Sequence, residues 1–429
     1  MDSVADVLTP YADLLRRPGT LRFSAAGFIQ RLPMSMLGLG EVLFLTLRGE
    51  PYAVAGAISA IGAVASAAVG PFVSRYVDRF TQHRVLPVAV TIAVTFQVAF
   101  VLLVLAGAPM WTWFVTFALG EAFVPNGGSL IRARWAHVLD RADEVRTAFA
   151  LESVLDEAVF VTGPPIATLI AVTWVSWGAI GAAIALLVTG TALLVPQRAT
   201  EPPAAGVEHR EGKAALRYAG VPLVFATFLL VGSMFGAFEV DTVAFAAEQD
   251  IRAYTGVLLA IYALGSGIAG LLLGVSHPRI GLPQQFRIAL LSLAVVGLPF
   301  PFVTSPVVMG VLSFVAGFSV APSLITGLAL TERLVPATRL TEGLTVVIAG
   351  LTVGFALGTA ISGPLIDAHG ASAGFIVLSV SAVLAATLTA LGTPYVARSL
   401  ARADADKAAD EAAADAAVRP ATDADPAAG

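Results

Sequence analysis

Residues 51–106 read PYAVAGAISAIGAVASAAVGPFVSRYVDRFTQHRVLPVAVTIAVTFQVAFVLLVLA. Two apolar runs flank one polar loop, and every charged residue of the stretch falls between Arg75 and Arg84. Each run exceeds the roughly 20 residues that a helix needs to cross a bilayer core. Lipid supplies no hydrogen-bond partners, so a backbone crossing it satisfies itself as a helix. The same rhythm repeats along the chain: 57% of residues are hydrophobic and 13% charged, with a mean hydropathy of +0.83. A water-soluble domain keeps about a quarter of its residues charged. The composition excludes such a domain and predicts an all-α polytopic membrane protein.

Working outward from that stretch, spans are predicted at 21–47, 51–74, 85–106, 110–133, 147–172 and 174–196. Six more follow at 220–246, 253–275, 286–304, 307–331, 341–366 and 371–395. Two long uncharged stretches are split, one at the interfacial Trp174 and Trp177 and one at Pro299, Pro301, Ser305 and Pro306. Twelve spans place both termini in the cytoplasm. The inner loops then hold Arg16, Arg17, Arg22, Arg75, Arg79, Arg84, Arg132, Arg134, Arg141, Arg146, Arg198, Arg210, Lys213, Arg217, Arg279, Arg287, Arg333, Arg339 and Arg398. Only Arg48 and Arg252 fall outside, and Arg31 lies within the first span. This bias is the positive-inside rule obeyed.

The chain has no cysteine, which removes disulfides and thiol chemistry. No cleavable signal peptide is expected, since Met1 to Thr20 is polar. Lys213 and Lys407 are the only lysines. With the richness in alanine this points to GC-rich coding and a bacterial inner membrane. The expected domains are a six-helix bundle over 1–196, a cytoplasmic linker over 197–219, a second bundle over 220–395 and a disordered tail over 396–429.

The halves read as copies. At an offset of about 200 residues, Gly70 and Arg79 meet Gly270 and Arg279, Glu41 meets Asp241, and Gly163-Pro164 meets Gly363-Pro364. Pro125 meets Pro322 with a drift of three residues.

Gly70 to Val85, GPFVSRYVDRFTQHRV, resembles the signature loop of the major facilitator superfamily. Gly70, Asp78, Arg79 and Arg84 match it, while Thr81 stands where the loop has a glycine and His83 at a basic position. The duplication fits that family's two parallel halves with a site between them near the bilayer midplane. The resemblance implies that Asp78 latches onto the N-terminus of span eleven, near Thr341-Glu342-Gly343, in one conformation of a transport cycle. Arg79 and Arg84 would meet acidic partners or lipid headgroups. A solvated basic loop is the alternative. In span five, Gly163-Pro164 resembles the Gly-Pro motif of drug/proton antiporters, with Pro165 and Ile166 where more glycines would stand. It is read as a packing motif first. The arginine that those antiporters carry in span four is absent, with Thr116 in its place.

Ionisable side chains at membrane depth are functional candidates. Arg31 in span one and Glu121 in span four are expected to meet in the cavity, as a coupling pair or as a structural one. Glu152, Asp156 and Glu157 cluster in span five, with Arg132, Arg134 and Arg146 as candidate counter-charges. Asp156 is the first candidate proton carrier there; a charge network gating the inner face is the alternative. Glu41, Glu239 and Asp241 are expected near outer helix ends, in water or rimming a vestibule. Candidate cavity residues are Gln30, Arg31, Ser35, Glu121, Asn126, Phe235, Phe238, Ser323 and Thr326.

No phosphate-binding loop, metal-ligand spacing or nucleophile–base constellation is present in the sequence. A polytopic membrane enzyme is the distant alternative class. The expected protein is a monomeric secondary transporter without cofactor or nucleic-acid partner, exporting a small amphipathic compound against protons. Uptake or facilitated movement of a polar or anionic metabolite, bound through Arg31, is the runner-up.

Overall fold

The computed structural model describes residues 4–204, 215–275, 279–336 and 339–418. Among them there is no strand; fifteen α-helices carry the fold. The first half comprises α1 (Val4–Arg16), α2 (Thr20–Arg31), α3 (Pro33–Leu47), α4 (Tyr52–Phe80), α5 (Gln82–Leu105), α6 (Met110–Ala122), α7 (Gly127–Val138), α8 (Ala142–Thr173) and α9 (Gly178–Leu194). The second comprises α10 (Val221–Glu248), α11 (Thr255–Val275), α12 (Leu282–Gly297), α13 (Pro306–Leu334), α14 (Leu340–His369) and α15 (Ala371–Val418).

Ten of the described helical runs are long and apolar enough to cross a membrane, with α2 and α3 counted as one run through Leu32. Two further helical stretches fall on the remaining expected spans. One is α9, an apolar helix of 17 residues. The other is the predicted span 110–133, which the structure divides into α6 and α7. Pro125 lacks an amide to continue the ladder, and Asn126 restarts the helix by accepting from Ser129 N at 3.0 Å.

Two termini differ from expectation. The polar leader contains a helix, α1, whose Leu14 packs with Phe23, Trp135 and Leu139. At the other end α15 runs to Val418 instead of dissolving at 396, because the alanine-rich segment has high helix propensity. Residues 419–429 lie outside the described residues, as do 205–214 of the linker with Arg210 and Lys213.

Glycine sets how closely the helices approach. On α10, Gly232 and Gly236 face the carbonyls of Leu351 and Phe355; on α14, Gly354 and Gly358 face those of Leu229 and Ser233. Repeats of four on both partners leave no room for a methyl group, the small-residue packing typical of membrane helices. The two halves meet along α4–α14 and α8–α11. Gly56 abuts the Thr359 carbonyl and Gly363 the Tyr52 carbonyl on the first seam; Gly256 abuts the Pro164 carbonyl on the second. Gly56 and Gly256 are 200 positions apart and open equivalent seams, a landmark of the duplication that the sequence comparison above omits.

Candidate functional site

Arg31 ends α2, where the helix gives way to α3 through Leu32 and Pro33. It is 2% exposed. Its guanidinium donates to Glu152 Oε2 at 2.5 Å and Asp156 Oδ1 at 2.7 Å, both on α8, and its Nε donates to the Gly27 carbonyl at 3.1 Å. Glu152 also accepts from Ser24 Oγ and Trp135 Nε1, each at 2.8 Å. Asp156 takes a second guanidinium, that of Arg132, at 2.8 Å. The two arginines and two carboxylates balance in charge, which is what a low-dielectric interior requires of buried ions.

This arrangement corrects the expected Arg31–Glu121 pair. Arg31 faces α8, while Glu121 on α6 accepts from Gln97 Nε2 at 3.0 Å. It also corrects two of three counter-charges. Arg132 serves Asp156, but Arg134 turns away to Gln82 Oε1, the Gln197 carbonyl and Thr200 Oγ1, at 2.7, 2.6 and 2.8 Å. Arg146 is exposed. Arg134 and Gln82 together tie α7 to the α4–α5 junction and the end of α9, a buried network without a sequence signature.

Glu41 and Asp241 do not meet water; both are 0% exposed. Glu41 accepts from Ser59 Oγ on α4 at 2.5 Å, whereas Asp241 faces Gly374 of α15 within the second half. Glu239 lies on α10 beside Gly38 of α3.

The other candidates divide between packing and open positions. Ser35 bonds the Leu32 and Val159 carbonyls and sits against Gly163. Gln30 is wedged between Gly127 and Gly190. Ser323 and Thr326 donate to the carbonyls of Ser319 and Pro322 in their own helix. Phe238 packs on Tyr262 and Phe300, and Phe235 edges Tyr262. Asn126 is exposed beside Ser129. Glu157 is half-buried and lies 3.6 Å from the Cβ position of Gly267 on α11, in the other half. No hydrogen bond or ion pair engages it among the described residues.

The loop joining α4 and α5 marks the arginine-rich end. Asp78, Arg79 and Arg84 are exposed there, and nothing stands within 4 Å of the Gly70 Cβ position. Asp78 makes no hydrogen bond or ion pair among the described residues, so the expected contact with the start of α14 is not made in this conformation. Glu342 at that start pairs with Arg339 at 2.5 Å instead. Thr81 adopts φ 75°, ψ 155°, a backbone suited to the glycine that the signature has there. At the opposite end the seam is shut. Asp367 near the end of α14 accepts from Tyr52 N and Ala53 N, the first amides of α4, at 2.9 and 2.8 Å.

Similarity to known proteins follows this architecture. The family model described as Major Facilitator Superfamily matches residues 252–421. Among curated proteins no sequence match was found. The structure of the nucleoside transporter NupG superposes with a TM-score of 0.67 at 15% identity, covering 88% of this chain and 99% of that one. The peptide transporter POT in complex with sulfate gives 0.67 at 13% identity, covering 90% and 95%. The human organic anion transporter MFSD10 (TETRAN) gives 0.55 at 16% identity, covering 86% and 97%. Residues 252–421 thus match the Major Facilitator Superfamily model, and the chain shares the fold of these transporters over nearly its whole length.

Proposed function

We propose that this transporter exports a small amphipathic organic compound from a bacterial cytoplasm in exchange for protons, by alternating access. The observation that carries the proposal is Glu157, a carboxylate without a cation at the seam between the halves. A proton carrier must be able to lose its charge. Asp156 faces two guanidinium groups and Glu152 one, so each is already paired with a cation. The expected role therefore moves from Asp156 to Glu157, with Glu121, whose partner is the neutral Gln97 amide, as the second site. The anion-uptake alternative keeps the missing span-four arginine as its ground but loses Arg31, whose guanidinium is already paired within the protein.

The seam contacts support a conformation closed at the outer end and unlatched at the arginine-rich, cytoplasmic end. Asp367 holds the first; Asp78 waits at the second. Asp367 of α14 caps the N-terminus of α4, where the helix dipole favours negative charge, and the signature resemblance implies the reciprocal cap of Asp78 on α14 in the other state. Rocking would exchange one cap for the other. The test uses everted vesicles with an acid interior, a pH-sensitive dye and a broad compound panel. Compound-triggered proton release that needs this protein and vanishes in Glu157→Gln is expected; solute movement with no proton movement would overturn the proposal.

A further inference from the structure

We infer that Glu41, Glu121 and Glu239 form a recognition site for the positively charged nitrogen of an organic ammonium ion carrying an apolar body. This deepens the transport reading above and rests on it. Two elements, α4 and α3, bring the carboxylates together. On α4, Ser59 donates to Glu41, and Gly62, one turn further, has its Cβ position 3.1 Å from Glu121 Cγ. On α3, Gly38, one turn before Glu41, has its Cβ position 3.2 Å from Glu239 Oε1.

No arginine, lysine or histidine pairs with any of the three among the described residues, in contrast to Glu152 and Asp156. A second observation comes from a neutral side chain. Gln97, 1% exposed, gives its amide N–H to Glu121 and leaves Oε1 without a donor. Glu41 Oε1, on a residue 0% exposed, also lacks one. A buried acceptor left unpaired is costly, so the site is short of N–H donors and of positive charge. An ammonium group supplies both.

Aromatic groups frame the same place. Phe117 precedes Glu121 by one turn and faces Gly62; Phe235 precedes Glu239 by one turn and edges Tyr262. Rings of this kind attract a cation and cover an apolar body. Glu41 and Glu121 come from the first half and Glu239 from the second, so a bound cation touches both and its fit changes as they rock.

Binding of 4-phenylbutylammonium, 4-phenylbutanol and 4-phenylbutyrate to the purified full chain in nanodiscs tests the site. The ammonium ion is expected to bind about ten-fold or more tighter than the alcohol, and Glu41→Gln and Glu239→Gln each to remove most of that preference. Equal affinities, preference for the carboxylate, no binding of the ammonium ion, or a preference unmoved by both substitutions would overturn it. If Glu41→Gln fails to fold, the half-buried Glu239→Gln carries the comparison. Proton movement driven by the alcohol or the carboxylate alone would remove the cation site and leave proton-coupled export standing. Cation binding without any transport would do the reverse.

Discussion

A guanidinium inside a bilayer persists only where carboxylates and carbonyls surround it. Arg31 meets that condition through Glu152, Asp156 and the Gly27 carbonyl. Arg31→Ala would leave Glu152 buried beside an empty place, a loss of about 3–5 kcal/mol. Arg132→Ala, at a side chain 30% exposed, should cost about 1 kcal/mol or less. Thermal unfolding of both variants in detergent checks the order, and equal losses would contradict it. Thr81 sits in a backbone region that a β-branched residue occupies only under strain of about 1–3 kcal/mol. Thr81→Gly should therefore raise stability by about 1 kcal/mol despite losing the 2.9 Å bond to His83 Nδ1. An unchanged or lower unfolding temperature would show the strain to be absent. Arg31 stood out in the sequence because charges at membrane depth are rare. Its partners did not, since they lie 121 and 125 positions away and spacing alone does not say which helix a side chain faces.

At the scale of helices, apolar runs and arginine clusters reported the crossings well, because bilayer thickness sets the first and membrane topology the second. The break between α6 and α7 was harder to read, since Pro125 and Asn126 are two residues within an otherwise apolar run. The α10–α14 contact was invisible in outline: glycines at 232, 236, 354 and 358 are ordinary in composition, and only pairing across helices gives their spacing meaning. Gly354→Leu should drive α14 from α10 and abolish folded protein, read as loss of a monodisperse peak on size exclusion; a normal peak would contradict that packing. Asp367→Ala removes the carboxylate that caps α4. It should free the seam at that end, so that a cysteine placed at Tyr52 reacts several-fold faster with an impermeant maleimide. Because the chain has no cysteine of its own, that label reports one position. An unchanged rate would remove Asp367 as a cap that holds the halves together.

Across the whole molecule, the duplication was legible in Gly163-Pro164 and Gly363-Pro364, and the structure places both beside the starts of helices from the opposite half. The acids were harder to assign, because proton carriers and structural anions share a residue type and differ only in partners. Asp156 sits between two arginines, whereas Glu157 one residue on pairs with none among the described residues. Alternating access makes a demand on the entire chain: one end must close as the other opens. Spin labels on Tyr76→Cys with Ile348→Cys report the arginine-rich end, and labels on Trp111→Cys with Phe302→Cys report the other, all four sites being exposed. Pulsed electron-electron distance measurement in nanodiscs, with and without 4-phenylbutylammonium, tests the account most directly. Two distances are expected at each end, redistributed by the ammonium ion in opposite senses. A single distance at each end under both conditions, or changes of the same sign at both ends, would contradict it.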